Sequence, residues 1–166
     1  CRFDPGHPLQ IVYPIDPTLF TRALPLNAIF VDPKAFTIPT FIEKNAFNAV
    51  ESYQLNEDGT IATTFTFNEG SLSGPLKTYH PKGFVIKDSG NALWGMQFIW
   101  PIKAQYKIVY LDQNYQNTII ARDDRDYVWI MSRQKKIDQD TLKILVKKIE
   151  NDGYDIKKIR WIEHSN

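Results

Sequence analysis

The stretch Asp123–Arg133 constrains this chain most. It opens as a charged turn, Asp123-Asp124-Arg125-Asp126, and becomes an alternating run at Tyr127. Tyr127, Trp129 and Met131 fall on one face, and Val128, Ile130 and Ser132 on the other, because successive strand residues point to opposite sides. Both faces are largely apolar, so the strand has to be covered on both. Arg133 shares the face of the aromatic row; a guanidinium there lies flat on a ring and bonds to carbonyls. A helix follows, over about 138–151. Asp138 is its N-cap, Leu142, Leu145, Val146 and Ile149 form one apolar stripe, and Gly153 ends it. A final barrel strand, closed inside by an arginine and covered outside by a helix, has this pattern.

The preceding residues repeat the strand signal. Ala46–Leu55 alternates and leads into Asn56-Glu57-Asp58-Gly59, a hairpin turn in which Gly59 can take positive φ. Thr60–Asn68 carries Ile61, Thr63, Phe65 and Phe67 on one face. After a loop, Glu69–Pro75, come a short strand Gly83–Lys87, the strand Ala92–Trp100, the strand Ala104–Asp112 and the strand Asn117–Ala121. Sequential strands at short spacing, then one helix, predict an all-β fold: an up-and-down antiparallel barrel of about eight strands with one C-terminal helix. Ile156–Ile162 is expected to add a closing short strand.

Length suits one domain. The formal net charge of +1 argues against a nucleic-acid partner. His7, His80 and His164 are scattered, so no metal site is expected. Asp123, Asp124 and Asp126 lack calcium-loop spacing and are expected to be a solvated turn. Gly70-Ser71-Leu72-Ser73-Gly74 has Leu72 where a nucleophile elbow needs serine. No catalytic set of nucleophile, base and oxyanion donors assembles, so no enzyme activity and no cofactor is expected.

Residues 1–30 are rich in proline, at Pro5, Pro8, Pro14, Pro17 and Pro25. Proline removes ladder donors, so this segment is expected to be an arm ahead of a barrel spanning 31–166. Its short apolar pieces Ile11-Val12-Tyr13 and Ala28-Ile29-Phe30-Val31 could add an edge strand. Cys1 is the only cysteine; it reads either as the lipidated first residue of a processed bacterial lipoprotein or as an incidental residue.

Tyr110-Leu111-Asp112-Gln113-Asn114-Tyr115, Ile119-Ile120-Ala121 and Asp124–Arg133 together resemble the lipocalins, and most of all the bacterial outer-membrane group related to apolipoprotein D. The resemblance runs from about Ala46 to Ile162. One hallmark is missing. Lipocalins carry Gly-x-Trp on the first strand, with the Trp against the final-strand Arg, here Arg133. In this chain Val31–Phe36 and Ile38–Phe41 look like the flanks of that motif without its middle, and no Trp precedes Trp94. The first strand is therefore expected to be irregular or replaced. A carbonyl from Ala28–Phe36, with Phe30 or Phe36 beneath the guanidinium, is the expected partner of Arg133.

Aligned on the family pattern, Glu51, Tyr53, Ile61, Thr63, Phe65, Val85, Trp94, Met96, Phe98, Ile108, Tyr110, Ala121, Tyr127, Trp129 and Met131 face inward and form the expected ligand site. A packed core without a cavity would show the same alternation. Glu51 sits either inside, with a raised pKa or a partner, or at a wet rim. The resemblance implies binding, storage or transport of a fatty acid or lysophospholipid-type ligand in the bacterial cell envelope. It also implies an outer-membrane lipoprotein facing the periplasm, anchored through Cys1, as monomer or dimer. The alternatives are a carrier of a pigment or haem, or a non-catalytic interaction protein with a collapsed barrel.

Overall fold

The computed structural model describes residues 26–31 as backbone and 45–134 and 137–165 in full. Among the described residues, nine strands form one antiparallel sheet: β1 (Leu26–Val31), β2 (Ala46–Leu55), β3 (Thr60–Glu69), β4 (Leu76–Tyr79), β5 (Lys82–Val85), β6 (Leu93–Ile99), β7 (Ile102–Leu111), β8 (Asn117–Ala121) and β9 (Val128–Ser132). The pairings run from β1 through β2, β3, β5, β6, β7, β8 and β9 and return to β1. The sheet is thus closed into the expected eight-position barrel.

β4 and β5 share one position. β4 pairs with Phe65–Asn68 of β3, and β5 with Thr60–Ala62. Between them stands Pro81, which has no N–H for the ladder. Its carbonyl accepts from the Thr63 N–H at 3.1 Å, so the break costs few ladder bonds.

β1 comes from the proline-rich segment and is not the edge strand that its sequence suggested. It lies between β9, in register from Asn27↔Ser132 to Val31↔Val128, and β2, through Leu26↔Glu51 and Asn27↔Val50. The barrel therefore takes in residues 26–30 as well. The segment begins just after Pro25 and contains no proline itself, so each residue can donate to a neighbour. Ile11-Val12-Tyr13 lies outside the described residues.

The strand directions define two ends. Asn56–Gly59, Ile86–Ala92, Asp112–Gln116 and the exit of β9 lie at one end, called the floor. The loop 70–75, Trp100-Pro101 and Arg122–Tyr127 lie at the other, the mouth.

Helix α1 (Gln139–Asn151) covers the barrel outside. The Asp138 side chain caps it, accepting from the Thr141 N–H at 2.9 Å. Leu145 and Ile149 are buried against Val109, Ile119, Ala121, Val128 and Ile130. Tyr154, beyond the helix, joins the same cluster, and its hydroxyl reaches the Tyr127 carbonyl at 2.8 Å. The strand expected over Ile156–Ile162 does not form. Ile156–Lys158 is a 3-10 turn, begun by the Asp155 side chain accepting from the Lys157 N–H at 3.1 Å. The reason is packing. Ile156 and Ile159 both lie on the outer cluster, and a three-residue turn puts them on one side, whereas a strand would place them on opposite faces. The tail then meets a bulge in β2, where Asn48 adopts φ +50°; the Asn48 N–H donates to the Glu163 carbonyl at 2.9 Å.

Candidate functional site

Alternation in a closed barrel sends one residue of each pair into the lumen. Near the floor the lumen holds Ile61, Ala92 and Ile108, fully buried, with Leu55, Val85 and Leu111 packed against them. Trp94, Met96, Phe65, Phe67, Ile120 and Met131 are also buried in the lumen, and Phe98, Tyr79 and Trp129 are half-buried against them. Thr63 is buried among them, its hydroxyl 3.8 Å from the Met96 sulfur. The Tyr127 ring is buried 4.6 Å from that of Trp129. These positions agree with the inward expectation for Ile61, Thr63, Phe65, Val85, Trp94, Met96, Phe98, Ile108, Trp129 and Met131.

Two expected lumen residues face outward. Tyr110 and Ala121 belong to the cluster under α1. A register shift between Ile108 and Tyr110 inserts one extra residue in β7, and a one-residue slip reverses every face beyond it. Leu111 thus enters the lumen and Tyr110 leaves it. In β8 the inward residues are Thr118 and Ile120, opposite Met131 and Trp129, so Ala121 is outside. Tyr106 and Phe67 also lie in the lumen, as period-two alternation with Ile108 and with Phe65 requires.

Tyr106 is central. β2 and β7 stand on opposite sides of the ring, yet the Tyr53 and Tyr106 hydroxyls hydrogen-bond to each other. The pair is a bar across the lumen. Both hydroxyls lie 3.9 Å from the Met131 sulfur. Trp94 holds the bar from beneath and beside, stacked on Tyr106 at 5.4 Å between centroids and edge-on to Tyr53 at 5.8 Å; Trp129 stacks on Tyr106 at 6.1 Å. Such ring pairs add about 0.5–1.5 kcal/mol each beyond burial, so the bar is held from several sides.

Glu51 lies one inward step from Tyr53 toward the mouth. It is inside the barrel, with only 7% of its surface exposed, and not at a wet rim. Burial pushes its carboxyl up from 4.5 to about 7, against the lowering effect of a hydrogen bond from Tyr53. The same burial raises Tyr53 well above its ordinary range, and the nearby Glu51 charge adds to this. One consistent proton arrangement has Tyr106 donating to Tyr53 and Tyr53 donating to Glu51.

Arg133 lies at the floor end of the barrel, and the contact expected for it with Ala28–Phe36 falls on residues whose side chains, or whole structure, lie outside the described part. The Arg133 Nε donates to the Tyr115 carbonyl at 2.7 Å, and its backbone N–H to the Gln116 carbonyl at 2.9 Å. The β7–β8 turn presents that carbonyl because the Asp112 carboxylate accepts from the backbone N–H groups of Gln116 and Asn117 at 2.7 and 3.0 Å. Partial burial lowers the Arg133 pKa, while the Asp112 charge opposes the shift. The Phe30 and Phe36 side chains lie outside the described residues.

The acidic turn is neutralised from within. Asp123 accepts from Lys107 at 2.9 Å and from Gln105 at 2.8 Å, and Asp126 from Arg122 at 2.9 Å. Among the described residues, no three His, Cys, Asp or Glu side chains converge to hold a metal. None of the described helices is long and apolar enough to cross a membrane. A groove of about 290 Å³ on the outer side of α1, between Leu142, Val146 and Trp161, shares no residue with the lumen. At the mouth, Leu76, Ile99, Trp100 and Ile102 are exposed, Trp100 to 82%.

Residues 36–164 match the family model of the lipocalin-like domain. Temperature-induced lipocalin-1 of Arabidopsis thaliana is 32% identical over 137 residues, covering 76% of this chain and 70% of that protein. The outer membrane lipoprotein Blc of Escherichia coli is 26% identical over 120 residues, covering 64% of this chain and 68% of that protein. Among solved structures, the cockroach allergen Per a 4 superposes with a TM-score of 0.68 at 17% identity, covering 98% of this chain and 97% of that one. With the closed barrel, the helix packed outside it and the arginine just past its last strand, these matches establish that the chain belongs to the lipocalins, a family of generally non-catalytic proteins that bind small hydrophobic ligands.

Proposed function

We propose that this lipocalin binds, stores or carries a fatty acid or lysophospholipid-type ligand in a bacterial cell envelope. The observation that carries the reading is the lumen. Above the tyrosine bar its inward side chains are apolar and aromatic, from Phe65 and Phe67 to Met96, Phe98 and Trp129, and Leu76, Ile99, Trp100 and Ile102 are exposed at the mouth end. An acyl chain in that lumen gains roughly 25 cal/mol per Å² of apolar area removed from water. The head group then stays at the mouth, in contact with solvent. Tyr53, Ile61, Thr63, Val85, Trp94, Ile108, Tyr127 and Met131 complete the proposed wall and its base. Relatives named as outer membrane lipoproteins support an envelope location, and Cys1 is the proposed attachment point, outside the described residues. Native mass spectrometry of the protein purified from a bacterial host tests the reading. The expected result is an adduct with the mass of a fatty acid or lysophospholipid, lost on denaturation. The bare chain mass, with no adduct after incubation with such lipids, would count against it.

A further inference from the structure

The large apolar side chains left outside the core are concentrated at one place. Among the described residues, Leu72, Leu76, Ile99, Trp100 and Ile102 are exposed, four of them by more than half, and all five sit on two hairpins at the mouth. The hairpins are neighbours. β3 pairs with β4 and then with β5, and β5 pairs with β6, so β4 continues the line of β5 toward the mouth, between β3 and the end of β6. Ile99 and Ile102 face each other in register, which leaves Trp100 and Pro101 as a two-residue apex. Pro101 has no N–H, and a tip with few free donors can leave water at low cost. Residues 70–80 and 95–105 contain no Asp or Glu, and their lysines are Lys77 and Lys103. Both are tied down: Lys77 pairs with Glu69 at 3.3 Å, and the Lys103 ammonium lies 3.5 Å over the Phe84 ring. The acidic turn Asp123–Asp126 stands apart, beyond β7 and β8, with its charges held by Lys107 and Arg122.

We infer that these two tips dock the barrel, mouth first, on the surface of a phospholipid leaflet, with Trp100 and Leu76 entering the interface. One exposed apolar residue is ordinary, whereas a cluster of them on adjacent tips marks a contact surface. A folded protein partner, a second copy included, needs a face of roughly 20–30 residues, and two projecting turns do not offer one. A leaflet accepts projecting side chains one at a time. An indole is at home at the depth of the head groups, and lysines beside it reach the phosphates from apolar stems. The missing acids mean that an anionic head group meets no repulsion at the tips. Such docking is reversible, of about the strength that one acyl chain gives, and adds to a covalent anchor rather than replacing it. It stands apart from the acyl-ligand reading, since it needs no ligand in the lumen.

The test is sedimentation of the full chain, carrying Cys1→Ser so that no acyl anchor contributes, with sucrose-loaded vesicles. The vesicles are phosphatidylcholine alone or mixed with phosphatidylglycerol, at low and at high salt. Binding to phosphatidylcholine alone is expected and should survive high salt, because apolar insertion is not screened. Trp100→Ser should lower the partition coefficient about tenfold, Leu76→Ser should also lower it, and the two together should abolish binding. Ile144→Ser, equally exposed on the outer face of α1, should leave it unchanged. All three side chains are exposed, and circular dichroism checks that each variant is folded. No sedimentation with either vesicle, or binding that Trp100→Ser and Leu76→Ser leave intact, overturns the docking. Binding only to the phosphatidylglycerol vesicles that is lost at high salt overturns it in favour of plain charge attraction. Self-association without vesicles, abolished by Trp100→Ser, overturns it in favour of a second copy.

Discussion

Glu51→Gln should stabilise the barrel, by an amount that depends on pH. In the folded protein the carboxyl holds its proton up to about pH 7, and its ordinary value is 4.5. Between those values folding takes up a proton, so the stability contributed by the protonated form is fully present below 4.5 and is lost as pH rises through about 7. At 1.36 kcal/mol per pH unit the loss reaches about 3 kcal/mol above pH 8. Glutamine keeps the shape and cannot ionise. The variant and the wild type should therefore unfold together near pH 4.5 and separate progressively above it. For a chain of this size, about 2–4 °C per kcal/mol gives a higher Tm for Glu51→Gln by roughly 6–12 °C at pH 8. Urea unfolding followed by circular dichroism from pH 4.5 to 8.5 measures this directly. A constant difference across the range, or a variant that is less stable at pH 8, would refute a buried, proton-binding Glu51.

Other consequences follow from single contacts. Leu145→Ala should cost about 2–5 kcal/mol, because Leu145 is fully buried between α1 and the barrel; chemical denaturation measures it, and a loss under 1 kcal/mol would mean the helix is loosely seated. Arg133→Ala removes a charged donor from the Tyr115 carbonyl and should cost about 1.5–3 kcal/mol, with hydrogen exchange rising first in the β7–β8 turn. Trp100→Ser should weaken sedimentation with phosphatidylcholine vesicles if the exposed mouth meets lipid, whereas Ile144→Ser on the outer face of α1 should not. Full-length protein made with a bacterial export signal should partition with membranes, and Cys1→Ser should release it; equal solubility of the two forms removes Cys1 as the anchor.

Much of the barrel was legible because period-two alternation and turn residues act locally. The bounds of β2 and β8 are those that their alternation indicates, and α1 begins after Asp138 as its cap requires. What failed to show were effects of one strand on another. The extra residue in β7 exchanged Tyr110 for Leu111 in the lumen, and nothing in Ile108-Val109-Tyr110-Leu111 marks a bulge. β4 has little apolar content, Leu76-Lys77-Thr78-Tyr79, and exists because β3 is long enough to pair with it beyond Pro81. That Leu26–Val31 fills the position between β2 and β9 agrees with the expectation of a replaced first strand, which rests on the missing Gly-x-Trp motif and not on composition. The cross-lumen pairing of Tyr53 and Tyr106 required the ring to close before the two residues could meet.

The lumen is the centre of the account, and its tryptophans report on it separately. Of the four in the chain, Trp94 and Trp129 pack inside the barrel, whereas Trp100 and Trp161 are exposed. A Trp100→Phe, Trp161→Phe protein therefore emits from the lumen alone. Titrating it with a dibrominated octadecanoic acid, whose bromines quench on contact, is the most direct measurement. The account predicts saturable quenching at one ligand per chain, reversed by unbrominated fatty acid. Unchanged emission, with the circular dichroism of a folded barrel, would contradict it.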